Sequence, residues 1–204
     1  GDLGIFFDTS APAVNPGQTL EIPFTVTGSE GATLSLVPSV DNDEYVCALG
    51  KVDYVNYQGI IKLTAPEVIT EATEVKVSLT ASDTHKRSLT KSVSVKVNAS
   101  EPLSISALGE PASMAVKAGG SFTLSYKVLN LAPAKITGIP TVEVTSGWSA
   151  EATVDQDIIK VKYNAPASIG QRINIKISAT DDHGRKVEYS GTLSIVEITT
   201  TAGA

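Results

Sequence analysis

The chain carries one cysteine, one tryptophan and two histidines in 204 residues. A single cysteine excludes an intrachain disulfide framework and a multi-cysteine zinc site. Cys47, set in "YVCAL", reads as a small buried hydrophobe. The other reading, a reactive thiol, finds no neighbouring histidine to support it. Aromatic residues make up only 5% of the chain, so any core must rest on Val, Ile, Leu and Ala. Lys and Arg do not cluster anywhere. Nucleic acid is therefore excluded as a partner, because displacing counterions from phosphates needs a basic footprint. An anionic membrane surface is disfavoured for the same reason. No window of helical length shows a 3.6-residue apolar period, and no apolar run is long enough to insert in a membrane.

What is present is a soluble, acidic chain of two-domain length. Hydrophobic residues reach 42%, enough for two domains of about 100 residues to bury a core each. The net charge is −6, of which residues 1–100 hold −5 and residues 101–204 hold −1. The opening "GDLGIFF" reads as the start of a chain from which a leader has been removed, or as a remnant of expression. The end, residues 199–204, "TTTAGA", reads as a flexible tail.

The sequence repeats itself. "VNPGQTLEIPFTV" at 14–26 lies over "VKAGGSFTLSYKV" at 116–128 with an offset of 102. Val14 meets Val116, Gly17 meets Gly119, Ile22 meets Leu124 and Phe24 meets Tyr126. "IIKLTAPEVITEATEVKVSLTASDTHKR" at 60–87 lies over "IIKVKYNAPASIGQRINIKISATDDHGR" at 158–185. Here the offset is 98 at both ends and 100 at the shared Ala-Pro pairs, Ala65-Pro66 and Ala165-Pro166. Two residues are thus inserted before the second Ala-Pro and two are lost after it, which places that pair in a surface loop.

Each copy alternates with the two-residue period of a half-buried strand. Leu20, Ile22, Phe24 and Val26 do so, as do Val75, Val77, Leu79 and Ala81, and their counterparts in the second copy. The first copy yields about seven strands, near 3–7, 20–26, 33–37, 44–48, 60–64, 74–81 and 90–97. Seven short strands in about 100 residues, with turn signals between them, predict an all-β chain of two tandem immunoglobulin-like β-sandwich domains. The expected bounds are 1–99 and 102–198, joined through "VNASEP", whose Pro102 suits a linker. A short proline-containing linker predicts a short rod. Pro23 and Lys127, on the second strand of each copy, are expected to discourage edge-to-edge pairing.

"VKVSLTASDTHKRSLTKSVSVKV" and "INIKISATDDHGRKVEYSGTLSIVEI" resemble the last two strands of bacterial immunoglobulin-like domains, including PKD-type and cadherin-like modules. "VKAGGSFTLSYKVLN" followed by "TSGWSAEA" is similar to the sandwich modules that flank carbohydrate-active domains. The pairing resembles tandem modules on surface or secreted lipoproteins of Bacteroides-type gut bacteria. The Trp-Asp-Phe-Gly-Asp signature of PKD domains is absent, as are the paired cysteines and core tryptophan of antibody-type domains.

Two phrases look most like chemistry: "SDTHKR" at 82–87 and "TDDHGR" at 180–185. Both lie between alternating strands, so both read first as hairpin turns. Asp83 and Asp181 can cap such turns through their side-chain oxygens, and Gly184 can take a positive φ at little steric cost. A metal site built on Asp83 with His85, or on Asp181 with Asp182 and His183, is short of ligands for a closed shell. Calcium at the domain junction would need acids from both domains, and the linker offers only Glu101. A hydrolase triad needs a base beside a nucleophile, whereas His85 and His183 occupy equivalent turns and Gly-x-Ser-x-Gly does not occur. The acids of "VDNDE" (40–44) and "DQD" (155–157) do not match between copies and read as solvated loops. No catalytic residue, metal or cofactor is assigned.

Three aromatics are candidate ligand-binding residues. Trp148 could stack on a sugar ring, but Tyr45 falls near the equivalent place, at an offset of 103, which favours shared packing. Tyr54 and Tyr57, in "KVDYVNYQG", have no aromatic counterpart in the second copy and fit a binding patch better. The expected role is a non-catalytic, monomeric module of a bacterial surface or secreted protein, acting in adhesion or as a spacer. Its location would be extracellular or the cell envelope, and its partner a protein or a glycan. The alternative is a glycan-binding accessory module on Tyr54, Tyr57 or Trp148, and the remote third reading is an enzyme with a carboxylate pair.

Overall fold

The structure is a computed structural model that describes residues 1–109 and 113–199. The expected tail therefore lies outside the described residues from position 200 onward. The chain divides into two compact units, one spanning Gly1–Ser100 and a second beginning at Glu101. No helix occurs among the described residues.

The first unit holds eight strands: β1 (Gly4–Phe7), β2 (Ala13–Val14), β3 (Thr19–Thr27), β4 (Leu34–Val40), β5 (Val46–Asp53), β6 (Gln58–Thr64), β7 (Thr73–Asp83) and β8 (Ser88–Val97). The second repeats them as β9 (Ser104–Ala107), β10 (Met114–Val116), β11 (Ser121–Leu129), β12 (Thr141–Val144), β13 (Ser149–Asp155), β14 (Ile158–Asn164), β15 (Arg172–Thr180) and β16 (Lys186–Glu197). Each unit stacks two four-stranded sheets. In unit 1 these run β1-β3-β6-β5 and β2-β8-β7-β4. In unit 2 they run β9-β11-β14-β13 and β10-β16-β15-β12.

The period-2 pattern explains the core. Ile22, Phe24 and Val26 of β3 form one buried cluster with Ile61 and Leu63 of the neighbouring β6 and, from the other sheet, Val77, Leu79, Val95 and Val97. All are at most 2% exposed, and each buried aliphatic side chain contributes roughly 1.5–3 kcal/mol. The polar residues between them face solvent.

The eighth strand is one the seven-strand reading lacks. The chain pairs first with β3, antiparallel, through β1, and then crosses to pair with β8, parallel, through β2. Two residues of ladder carry too little periodicity to be legible. Unit 2 makes the same crossing, with β10 parallel to β16.

Pro23 and Lys127 do not guard edges, because β3 and β11 are interior strands. Pro23 is tolerated there for a local reason. Its carbonyl accepts from Asp8 N (2.9 Å), so its nitrogen faces the same side, just past the end of the β1 ladder at Phe7–Phe24. No bond to β6 is lost. The proline that does sit on an edge strand is Pro38, in β4.

The alignment of "IIK" is also corrected. Ile22 pairs with Ile61, and its counterpart Leu124 pairs with Val161, so β6 and β14 correspond at an offset of 100, not 98. The length difference lies in the turn between β5 and β6. Four residues, 54–57, join those strands, whereas two, 156–157, join β13 to β14. A shift of two preserves the in-out alternation, so periodicity cannot detect it.

Candidate functional site

The two chemistry-like phrases form matching hairpin turns. Asp83 Oδ1 accepts from His85 N (3.0 Å) and Arg87 N (3.2 Å), and its Oδ2 from Arg87 Nε (3.0 Å) and Nη2 (2.6 Å). Asp181 Oδ1 accepts from His183 N (3.0 Å) and Arg185 N (2.8 Å), and its Oδ2 from Arg185 Nε (2.7 Å). Both carboxylates are fully shielded from solvent. Burial opposes their ionisation, but the guanidinium and the backbone donors outweigh it and hold both carboxyls below the ordinary carboxylate value. The turn needs a left-handed residue at its fourth position. Gly184 supplies it with φ 76°, and Lys86 is held there with φ 62°. Asp, His and Arg recur at alternate positions in both copies, and the carboxylate-to-arginine clamp is the reason two of them do.

Each turn is tied to the loop between the second and third main strands of its sheet pair. In unit 1 Thr33 N donates to Thr84 Oγ1 (3.0 Å) and Thr84 N to the Thr33 carbonyl (3.1 Å). In unit 2 Lys135 N donates to Asp182 Oδ1 (3.1 Å) and Asp182 N to the Lys135 carbonyl (2.8 Å). The backbone geometry is kept while the side chains differ. The β5–β6 turn is tied to strand β3, with Val26 N donating to the Tyr57 carbonyl (2.8 Å). Two loops are therefore braced together in unit 1, the one between β3 and β4 and the one between β7 and β8.

The turn at 54–57 has its own internal brace. Asp53 Oδ1 accepts from Val55 N (2.9 Å) and Asn56 N (3.2 Å), and its Oδ2 accepts from Asn56 Nδ2 (2.8 Å). Those bonds lower the Asp53 carboxyl below its ordinary value, the Asn56 side chain first. Held this way, Tyr54 is 53% exposed and Val55 84%. Tyr57 is half-buried at φ 55° and packs against the core. Tyr54 and Tyr57 line a shallow depression of about 400 Å³ with Ala32, Thr33 and Leu34. Val55 is the member that sequence reasoning passed over. Its signal was the Asp-x-x-Asn spacing of a side-chain-capped turn around it.

Trp148 is placed elsewhere. It is 9% exposed and meets Phe122 edge-on, at 6.0 Å between ring centroids. Trp148 N donates to the Thr145 carbonyl (3.1 Å), as Tyr45 N donates to that of Asn42 (3.2 Å), and Tyr45 is also buried. Each aromatic closes a turn into the next strand and packs inward, so Trp148 presents no open face to a sugar.

Asp181, Asp182 and His183 bring ligand atoms within 4.8 Å of one another. Asp181 has its oxygens committed to three N–H donors, and Asp182 Oδ1 already accepts from Lys135 N and lies 3.0 Å from His183 Nδ1. Those bonds hold the turn in shape. Of the acids at 40–44, Asp41 has a structural part, its Oδ1 accepting from Lys76 N (2.8 Å).

No protein-family model matches the chain, and no curated protein matches its sequence. Solved structures resemble it in fold. A crystal structure of the titin domains Z1Z2 in complex with telethonin is 16% identical, with a TM-score of 0.51 over 97% of this chain and 98% of that one. The fibronectin(III)-like modules of Clostridium thermocellum CbhA are 12% identical, with a TM-score of 0.35 over 98% and 100% of the two chains. Cadherin-like domains 1 to 4 of zebrafish RET are 14% identical, with a TM-score of 0.41 over 96% and 52%. The first of these shows the fold: two immunoglobulin-like β-sandwich units in tandem.

Proposed function

We propose that this chain is a non-catalytic tandem immunoglobulin-like module of a surface or secreted protein, acting in adhesion through the loop end of its first unit. The observation that carries this reading is the braced turn at 54–57. It is longer than its counterpart by two residues and holds a tyrosine and a valine out in solvent. Unit 2 spends the same position on the short polar turn Gln156-Asp157. A turn braced before contact loses little backbone freedom on binding, which favours affinity. Tyrosine also suits both a protein surface and the apolar face of a sugar. The bacterial envelope setting rests on the sequence resemblance alone.

The glycan-binding reading is the second, and it uses the same depression with Tyr54 as platform. Both are tested by screening the purified chain on a glycan array and on a panel of extracellular-matrix and cell-surface proteins, beside Tyr54→Ala/Val55→Ser. A specific hit lost in the variant supports the site and identifies the partner class. A hit that the variant retains removes the 54–57 turn from the reading.

A further inference from the structure

The core of unit 2 is not closed where that of unit 1 is. In unit 1, Phe7 pairs with Phe24 at the end of β1, and Val93 pairs with Val77 in the other sheet. Both Phe7 and Val93 pack against the core. The corresponding pairs in unit 2 are Ala107 with Tyr126 and Gly191 with Ile175. Phenylalanine has become alanine, and valine has become glycine. Between the sheets this leaves a cavity of about 270 Å³, walled by Leu124, Ile175 and Leu193 and by the rings of Tyr126 and Tyr189. Tyr189 and Gly191 are partly exposed, so the cavity reaches solvent.

Tyr126, one wall of this cavity, shares its hydroxyl with Tyr163, which does not line it. Tyr126 and Tyr163 are at most 2% exposed, and their hydroxyls lie 2.6 Å apart. Whichever donates, the other keeps a proton that has no acceptor among the described residues. A buried hydroxyl without a partner costs free energy, so such a proton marks a place where an acceptor is expected. No Asp, Glu, Lys, Arg or His lines the space. An apolar cavity of about 150 Å³ is enough for benzene.

We infer that unit 2 contains a binding site between its sheets for a small, uncharged, monocyclic molecule bearing one oxygen acceptor. The ring lies against Leu124, Ile175 and the Tyr189 ring, and the oxygen accepts from the tyrosine hydroxyl pair. This site is independent of the loop end of unit 1.

Acetophenone is the probe, titrated into the 15N-labelled full chain and followed by two-dimensional NMR. Saturable shifts are expected at the amides of Ala107, Gly191 and Leu193, with a dissociation constant on the order of millimolar. Ethylbenzene, which lacks the acceptor, is expected to bind several-fold more weakly. Ala107→Phe restores the plug that unit 1 carries and is expected to weaken binding at least tenfold. Gly191→Val is the second plug. Its new Cβ would lie 2.8 Å from the Tyr189 hydroxyl, the far end of a side chain that can swing aside. Trp148 fluorescence reports whether either variant is folded. The absence of saturable shifts up to the solubility limit would overturn the site, as would shifts that persist in a folded plugged variant. Equal binding of ethylbenzene would overturn the role given to the hydroxyls.

Discussion

Replacing Asp181 by alanine tests the reading of the hairpin turns most directly. The substitution removes the acceptor of three N–H donors, two from backbone and one from the Arg185 guanidinium. The Arg185 side chain is only 12% exposed, and its Nη1 is already buried without a partner. Water cannot replace the carboxylate freely there. Removing one member of a buried pair strands the other charge and costs about 3–5 kcal/mol. For a unit of this size, that lowers the melting temperature by at least roughly 12 °C. The assay is built into the chain. Trp148 is the sole tryptophan and belongs to unit 2, so its fluorescence follows the melting of that unit alone. Asp83→Ala in unit 1 is expected to cost less, because Arg87 is 28% exposed and its Nη1 keeps the Gly1 carbonyl as a partner. The folded Asp181 carboxyl titrates below its unfolded counterpart. Its stabilisation is therefore complete above about pH 4 and is lost as the pH falls through the lower folded-state value. Asp181→Asn should flatten that acid limb. A melting shift under roughly 4 °C in Asp181→Ala, corresponding to about 1 kcal/mol, would refute the account of the turn as a buried clamp.

Three further outcomes are expected. Tyr126→Phe leaves the Tyr163 hydroxyl buried and alone, costing about 1–3 kcal/mol in urea unfolding read at Trp148. Adding Tyr163→Phe should recover most of that loss. Gly184 sits at φ 76° with open space around it, so Gly184→Ala meets a backbone cost only, about 1 kcal/mol, whereas Lys86→Gly should shift thermal stability the opposite way. Cys47 is half-buried, and burial raises its thiol pKa, so iodoacetamide should label it slowly until unit 1 unfolds.

The alternation of apolar and polar residues made the sandwich class legible, since Ile22, Phe24 and Val26 could only be one face of a strand. The shared glycine and Ala-Pro pairs were legible as repeat marks, and their contact supplies the reason: Gly17 N donates to the Pro66 carbonyl, and Gly119 N to that of Pro166. What stayed hidden depended on the third dimension. Which strands are interior decided the part played by Pro23, and no local pattern carries strand order. The two-residue slip in "IIK" was invisible because alternation survives it. Trp148 and Tyr54 look alike in sequence. They part only because one precedes a strand beneath Phe122, while the other rides an inserted turn.

The parallel pairing of β2 with β8 has a mechanical consequence. These strands lie near the two ends of unit 1 and run in the same direction side by side. Tension applied through the termini pulls β2 backward along its axis and β8 forward along its own. The hydrogen bonds between them are then loaded in shear, all together, and cannot open one by one as in a hairpin held at its free ends. Unit 2 is wired the same way through β10 and β16. In each unit, therefore, a pull on its two ends meets this parallel ladder in shear before the unit yields.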